Sequence, residues 1–91
     1  MLDIEFDPDK NLANVLRHDI SLSATTQFEL ADAVKWEDDR EDYGEIRMIA
    51  IGRLRRDIYR LTYTERGARV RAISLQKASK PERAEFLAHH G

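Results

Sequence analysis

The sequence predicts an α+β fold: a small antiparallel sheet with two N-terminal helices and one C-terminal helix. Three observations carry that prediction. Residues 46–78 read as three consecutive β-rich runs joined by tight connections. An Asp-Pro start near residue 8 opens a stretch with helical spacing, and Ser79-Lys80-Pro81-Glu82 opens another. The chain has 91 residues and no cysteine, so no disulfide framework or thiolate metal site shapes it. One small domain over residues 1–91 is expected. A domain of that size buries about 60–65% of its unfolded surface, so its core is thin.

The elements follow in order. Ile4 to Phe6 alternate weakly and suggest a short strand. Asp7 is a carboxylate cap with Pro8 at the first helical position. Over residues 8–18, Leu12, Val15 and Leu16 fall on one helical face, and Lys10, Asn14, Arg17 and His18 on the other. A second short helix is expected from a cap at Ser21 or Ser23 to near Glu29. Ala33 to Glu37 reads as a strand, and the acidic run 37–42 as a solvated loop. The last helix is expected over about 80–89, anchored by Phe86 and Leu87.

Register follows from the turns. A two-residue loop at Arg66-Gly67 pairs Tyr63 with Val70 and Leu61 with Ala72. A similar loop at Leu54-Arg55 pairs Ile46 with Tyr63 and Met48 with Leu61. One sheet face is then Ile46, Met48, Ala50, Tyr59, Leu61, Tyr63, Val70 and Ala72, a consistent apolar set. The other face is divided. Ile49, Ile51, Ile58, Ile73 and Leu75 form an apolar end that suits a helix or a partner. Two polar rows form the other end, Glu45–Thr64–Arg69 and Arg47–Thr62–Arg71, with Arg60 at the boundary.

Charge points to the same region. Residues 1–45 carry 13 acids and 4 bases, and residues 46–91 carry 4 acids and 11 bases. Eight arginines lie between residues 46 and 71 against Asp57 and Glu65 alone. Such asymmetry suits a nucleic-acid backbone, or else the two halves neutralise each other within the fold. No apolar run approaches the 18 residues that a membrane span needs, and the acidic N-terminus lacks a hydrophobic signal region. The composition fits a cytoplasmic protein. The three histidines show no metal-ligand spacing, and no glycine loop of the phosphate-cradling kind is present.

The mixed polar face has the groups that metal-free RNA cleavage requires. The 2′-hydroxyl attacks its own 3′-phosphate, so the catalyst supplies a base, cations around phosphorus and a proton for the leaving oxygen. Arg47 and Arg71 suit the phosphate, Glu45 the base, and Arg60, Arg66 and Arg69 the RNA strand. His18 is a residue type that exchanges protons near neutrality. The bland alternative is an ordinary exposed strand face, with Glu45 salt-bridged to Arg69 or Arg47.

These residues resemble the BrnT toxins of BrnT–BrnA type II toxin–antitoxin systems. Phe6-Asp7-Pro8-Asp9-Lys10, Asn14 and Arg17-His18 carry the first part of the resemblance. Asp38 through Arg47 and Ala50-Ile51-Gly52 carry the second. Tyr63-Thr64-Glu65-Arg66-Gly67, Arg69-Val70-Arg71, Ile73-Ser74 and Lys77-Ala78 carry the third. The resemblance implies a fold like the RelE-type toxins and a ribonuclease that arrests translation. It also implies a ribbon-helix-helix antitoxin, BrnA, which forms a heterotetramer with the toxin and carries the DNA contact. It maps functional positions onto Glu45, Arg47, Arg66, Arg71 and Ser74, although the register sets Ser74 on the opposite face from Glu45, Arg47 and Arg71. Three positions depart from the family pattern: Asp19 replaces a glycine, Leu22 an aromatic residue, and Gln76 an arginine.

The expected function is therefore a toxin endoribonuclease without metal or cofactor, neutralised by a BrnA-like antitoxin. The alternative is a degenerate toxin that only binds an antitoxin. Direct DNA binding is disfavoured by the net charge of −2 and the lack of a helix-turn-helix pattern.

Overall fold

The computed structural model describes residues 1–90. The chain runs β1 (Ile4–Glu5), α1 (Pro8–His18), 3₁₀ segments at Leu22–Gln27 and Leu30–Asp32, β2 (Val34–Asp38), β3 (Arg47–Leu54), β4 (Asp57–Arg66), β5 (Arg69–Lys77) and α2 (Lys80–His90). The five strands form one sheet in the order β1-β5-β4-β3-β2. It is mixed rather than purely antiparallel, because β1 pairs parallel with β5 through Ile4–Val70 and Glu5–Arg71. The expected second N-terminal helix is 3₁₀ instead. Thr25 and Thr26 are stiff at χ1, and the Thr26 hydroxyl bonds back to the Ser23 carbonyl, which favours a tight short turn over an α-helix.

The helix starts follow the sequence signals. Asp7 Oδ1 accepts from the Asp9 N–H at 2.8 Å, with Pro8 in the first turn. Ser79 and Glu82 form the reciprocal capping box, at 2.8 and 3.3 Å. α1 ends at Asp19, whose φ of 57° is left-handed, and its N–H bonds the Val15 carbonyl.

α1 seats itself by a polar contact. Asn14, 3% exposed, donates to the Leu75 carbonyl and accepts from the Leu75 N–H, both at 2.9 Å. It also donates to the Ile20 carbonyl. The side-chain amide stands in for a neighbouring strand where β1 no longer reaches β5. In consequence the apolar stripe of Leu12, Val15 and Leu16 faces outward.

Both hairpins are displaced by two residues from the sequence-derived register. The loops are Arg55-Arg56 and Gly67-Ala68, so Tyr63 faces Met48 and Ala72. A slip of two preserves which face each side chain occupies. One face accordingly holds Ala50, Leu54, Leu61, Tyr63, Val70 and Ala72, packed against Leu22, Ala24 and Phe28. Ile46 stands outside this set and is exposed. Gly52 lets Phe28 approach, since a Cβ there would meet the Phe28 ring at 2.9 Å.

A β-bulge then separates the Tyr63–Ala72 pair from the Thr62–Ser74 pair, leaving Ile73 as the extra residue. Beyond it every β5 side chain changes face. Leu75 enters the core, and Ser74 joins the polar face. The apolar end expected to suit a helix or a partner therefore loses Ile73 and Leu75 and receives a helix. Its remaining members Ile49, Ile51 and Ile58 are covered by Phe86 of α2. The His90 ring stacks on Phe86 at 4.1 Å.

Candidate active site

The face under α2 continues into a polar row that crosses all five strands. Asp38 pairs with Arg47, Thr64 with Arg71, and Arg71 with Glu5. Extending the β3–β4 ladder one residue past Met48–Tyr63 sets Arg47 opposite Thr64. The next row inward is Trp36, Ile49, Thr62 and Ser74. Arg47 thus aligns with Thr64 rather than Thr62, and Glu45 reaches Arg66 rather than Arg69. The same side chains still share one face, now with Ser74 among them.

Asp38 does not neutralise Arg47. Its buried carboxylate accepts from Arg40 Nε at 2.7 Å, Arg40 Nη2 at 2.8 Å and the Tyr43 hydroxyl at 3.1 Å. The Arg40 bonds hold it well below the usual carboxylate range against the opposing effect of burial. Tyr43, pinned this way, lies beneath the Arg47 guanidinium at 4.0 Å from the ring centroid. Arg47 makes no ion pair among the described residues, and its buried Nε has no partner. The buried hydroxyl of Thr64 also lacks a partner. Two unpartnered polar groups beside Arg71 make this the part of the sheet best arranged to receive an anion.

The other expected arginines are engaged. Arg71 pairs with Glu5 at 2.6 Å, with both side chains 29% exposed. Arg66 pairs with Glu45 at 3.1 Å, and Glu45 opens onto a cleft of about 420 Å³ beside Thr64 and Glu65. Arg69 pairs with Asp3 at 3.1 Å and donates to the Ile4 carbonyl. Arg60 lies beside α2, where it pairs with Glu82 at 2.6 Å. Burial alone would raise the Glu82 carboxyl, but bonds from the Ser79 N–H and Arg60 lower it on balance. Gln76 sits opposite Arg60, two residues along β5 from Ser74.

His18 lies at the end of α1. It and Ser74 line one cleft of about 370 Å³ between α1 and β5, with Lys10 and Arg17. Sequence reasoning left His18 unplaced and Ser74 on the wrong face. It also missed the Asp38–Arg40–Tyr43 clamp, because an acidic run reads as solvated. The available signal was a lone tyrosine four residues before Arg47. Among the described residues no three His, Asp or Glu side chains converge as a metal-ligand group.

A family comparison defines the class: ribonuclease toxins of type II toxin–antitoxin systems. A family model described as "Ribonuclease toxin, BrnT, of type II toxin-antitoxin system" matches residues 6–82, so the chain belongs to the BrnT family. Among solved structures, it is similar to the Brucella abortus ribonuclease toxin BrnT, with a TM-score of 0.68 at 19% identity. That likeness, which concerns the fold, covers 88% of this chain and all of the other. No curated protein matches the chain.

Proposed function

We propose that this toxin is a metal-independent endoribonuclease whose centre is the row of Arg47, Thr64 and Arg71 beside Glu45. The observation that carries the reading is the uncancelled charge of Arg47 next to the unpartnered Thr64 hydroxyl. In this scheme Glu45 takes the proton of the RNA 2′-hydroxyl. The 2′-oxygen bonds to phosphorus, and the bond to the 5′-oxygen breaks. Arg47 and Arg71 bear the charge that develops on the phosphoryl oxygens, and His18 gives a proton to the leaving 5′-oxygen. Ser74 supports the phosphate from the β5 side. Arg66 holds Glu45 in place as a positioning partner.

Membership of the family supports a wider role. The toxin cleaves RNA, inhibits translation and arrests growth, as RelE-type toxins do. A BrnA-like ribbon-helix-helix antitoxin neutralises it in a heterotetramer and makes the DNA contact. A second reading, a degenerate toxin that only binds an antitoxin, is favoured by Gln76 in place of the family's arginine and by the internal pairing of Arg60 and Arg69.

Induction of the chain alone and with its neighbouring gene tests the choice. Growth arrest that the neighbour relieves is expected, with Arg71→Ala folded and harmless at equal expression. No arrest by the wild type favours the second reading. Full toxicity of Arg71→Ala removes that residue from the mechanism.

A further inference from the structure

Almost every basic side chain expected to guide RNA along the sheet is cancelled by an acid of the same chain. Arg60, Arg66, Arg69 and Arg71 each hold a carboxylate. Besides Arg47, unpaired basic residues gather at the α1–β5 cleft. Lys10, Arg17 and His18 make no ion pair or side-chain hydrogen bond among the described residues, and all three are exposed. They line the α1–β5 cleft with Ser74. Asp9 is the one carboxylate on that lining.

The placement has a structural cause. Asn14 locks α1 to the β5 edge through both backbone groups of Leu75. Residues 10, 14 and 17 share a helical face by spacing, so fixing Asn14 inward brings Lys10 and Arg17 to the cleft on either side of it. Along the axis these two cations stand about 10 Å apart, too far to share one compact anion and close enough for their long side chains to reach two phosphates of one strand. At the bulge, Ser74 turns onto the face that bears Arg71, so the cleft adjoins the proposed scissile phosphate.

We infer that the α1–β5 cleft is a binding track for the phosphodiester backbone of single-stranded RNA, with Lys10 and Arg17 as its phosphate contacts and His18 and Ser74 at its inner end. The strand enters along α1 and not across Arg60 and Arg69. This rests on the ribonuclease reading and specifies where its substrate lies.

The test uses a 2′-O-methyl RNA oligonucleotide, which binds but has no free 2′-hydroxyl to attack. Its affinity is measured by fluorescence anisotropy across a salt series. Two phosphate contacts on a single strand contribute about 1.4 to the slope of log affinity against log salt. Lys10→Gln/Arg17→Gln is expected to reduce the slope by about that amount. The charge-matched Arg55→Gln/Arg56→Gln, in the β3–β4 loop, is expected to leave it at the wild-type value. An unchanged slope in the α1 variant overturns the track while leaving the ribonuclease reading intact. Equal losses in both variants overturn it too, since net charge alone would then explain binding. A wild type that binds no RNA defeats the ribonuclease reading itself. All four substituted side chains are exposed, and matching melting curves confirm that the variants are folded.

Discussion

Arg47 shows what a single residue gains from its neighbours. A guanidinium over an aromatic face is worth about 0.5–2 kcal/mol in orientation and attraction. Here Tyr43 supplies the face, and Asp38 fixes Tyr43. Tyr43→Phe keeps the ring, whereas Tyr43→Leu removes it. The expected result is kcat/KM within about threefold of wild type for Phe and about tenfold lower for Leu. Equal losses in the two variants would contradict the ring contact and assign the effect to the hydroxyl that Asp38 holds. The Asp38 carboxyl is depressed in the folded state, so its stabilisation is complete above the unfolded value of about 3.9 and fades only as pH falls through the lower folded value. Tyr43 should therefore stay in place at pH 5, where its fluorescence emission should match that at pH 7. Arg47, Arg71 and Glu45 were legible in the sequence because alternation survives a two-residue slip. Ser74 was not, since no residue type near Ile73 announces a bulge.

Elements here are set by polar edges as much as by apolar faces. The sequence of α1 suggests Leu12, Val15 and Leu16 as its packing side, yet Asn14 is the buried residue. Periodicity ranks helical faces by hydropathy and cannot register that an amide completes the hydrogen bonds of a strand edge. Asn14→Ala leaves the Leu75 N–H and C=O without that partner and should cost about 2–3 kcal/mol in denaturant unfolding. A loss below about 0.5 kcal/mol would refute the edge-capping role. α2 follows the opposite logic, with its capping box and Phe86 anchor both plain in the sequence. The two-residue loops were legible in kind, and their exact positions were fixed only by how Phe28, Tyr63 and Leu75 pack.

At the scale of the molecule, the contrast between an acidic first half and a basic second half is partly resolved inside the fold. Asp3, Glu5 and Glu45 pair with Arg69, Arg71 and Arg66, fastening β1 and the segment before β3 to the sheet. Composition revealed the contrast but not that these three acids and three arginines meet, because the pairs span 21 to 66 residues of sequence. Of the basic side chains that make no ion pair among the described residues, Arg47 lies in the polar row and Lys10 and Arg17 line the cleft with His18. The central claim is that the toxin cleaves RNA by internal attack without a metal. Purified toxin incubated with single-stranded RNA in EDTA, followed by analysis of the product ends, tests it most directly. Cleavage is expected to leave cyclic 2′,3′-phosphate and 5′-hydroxyl ends, and Arg47→Ala is expected to abolish it. Inhibition by EDTA, or products with 5′-phosphate ends, would contradict the claim.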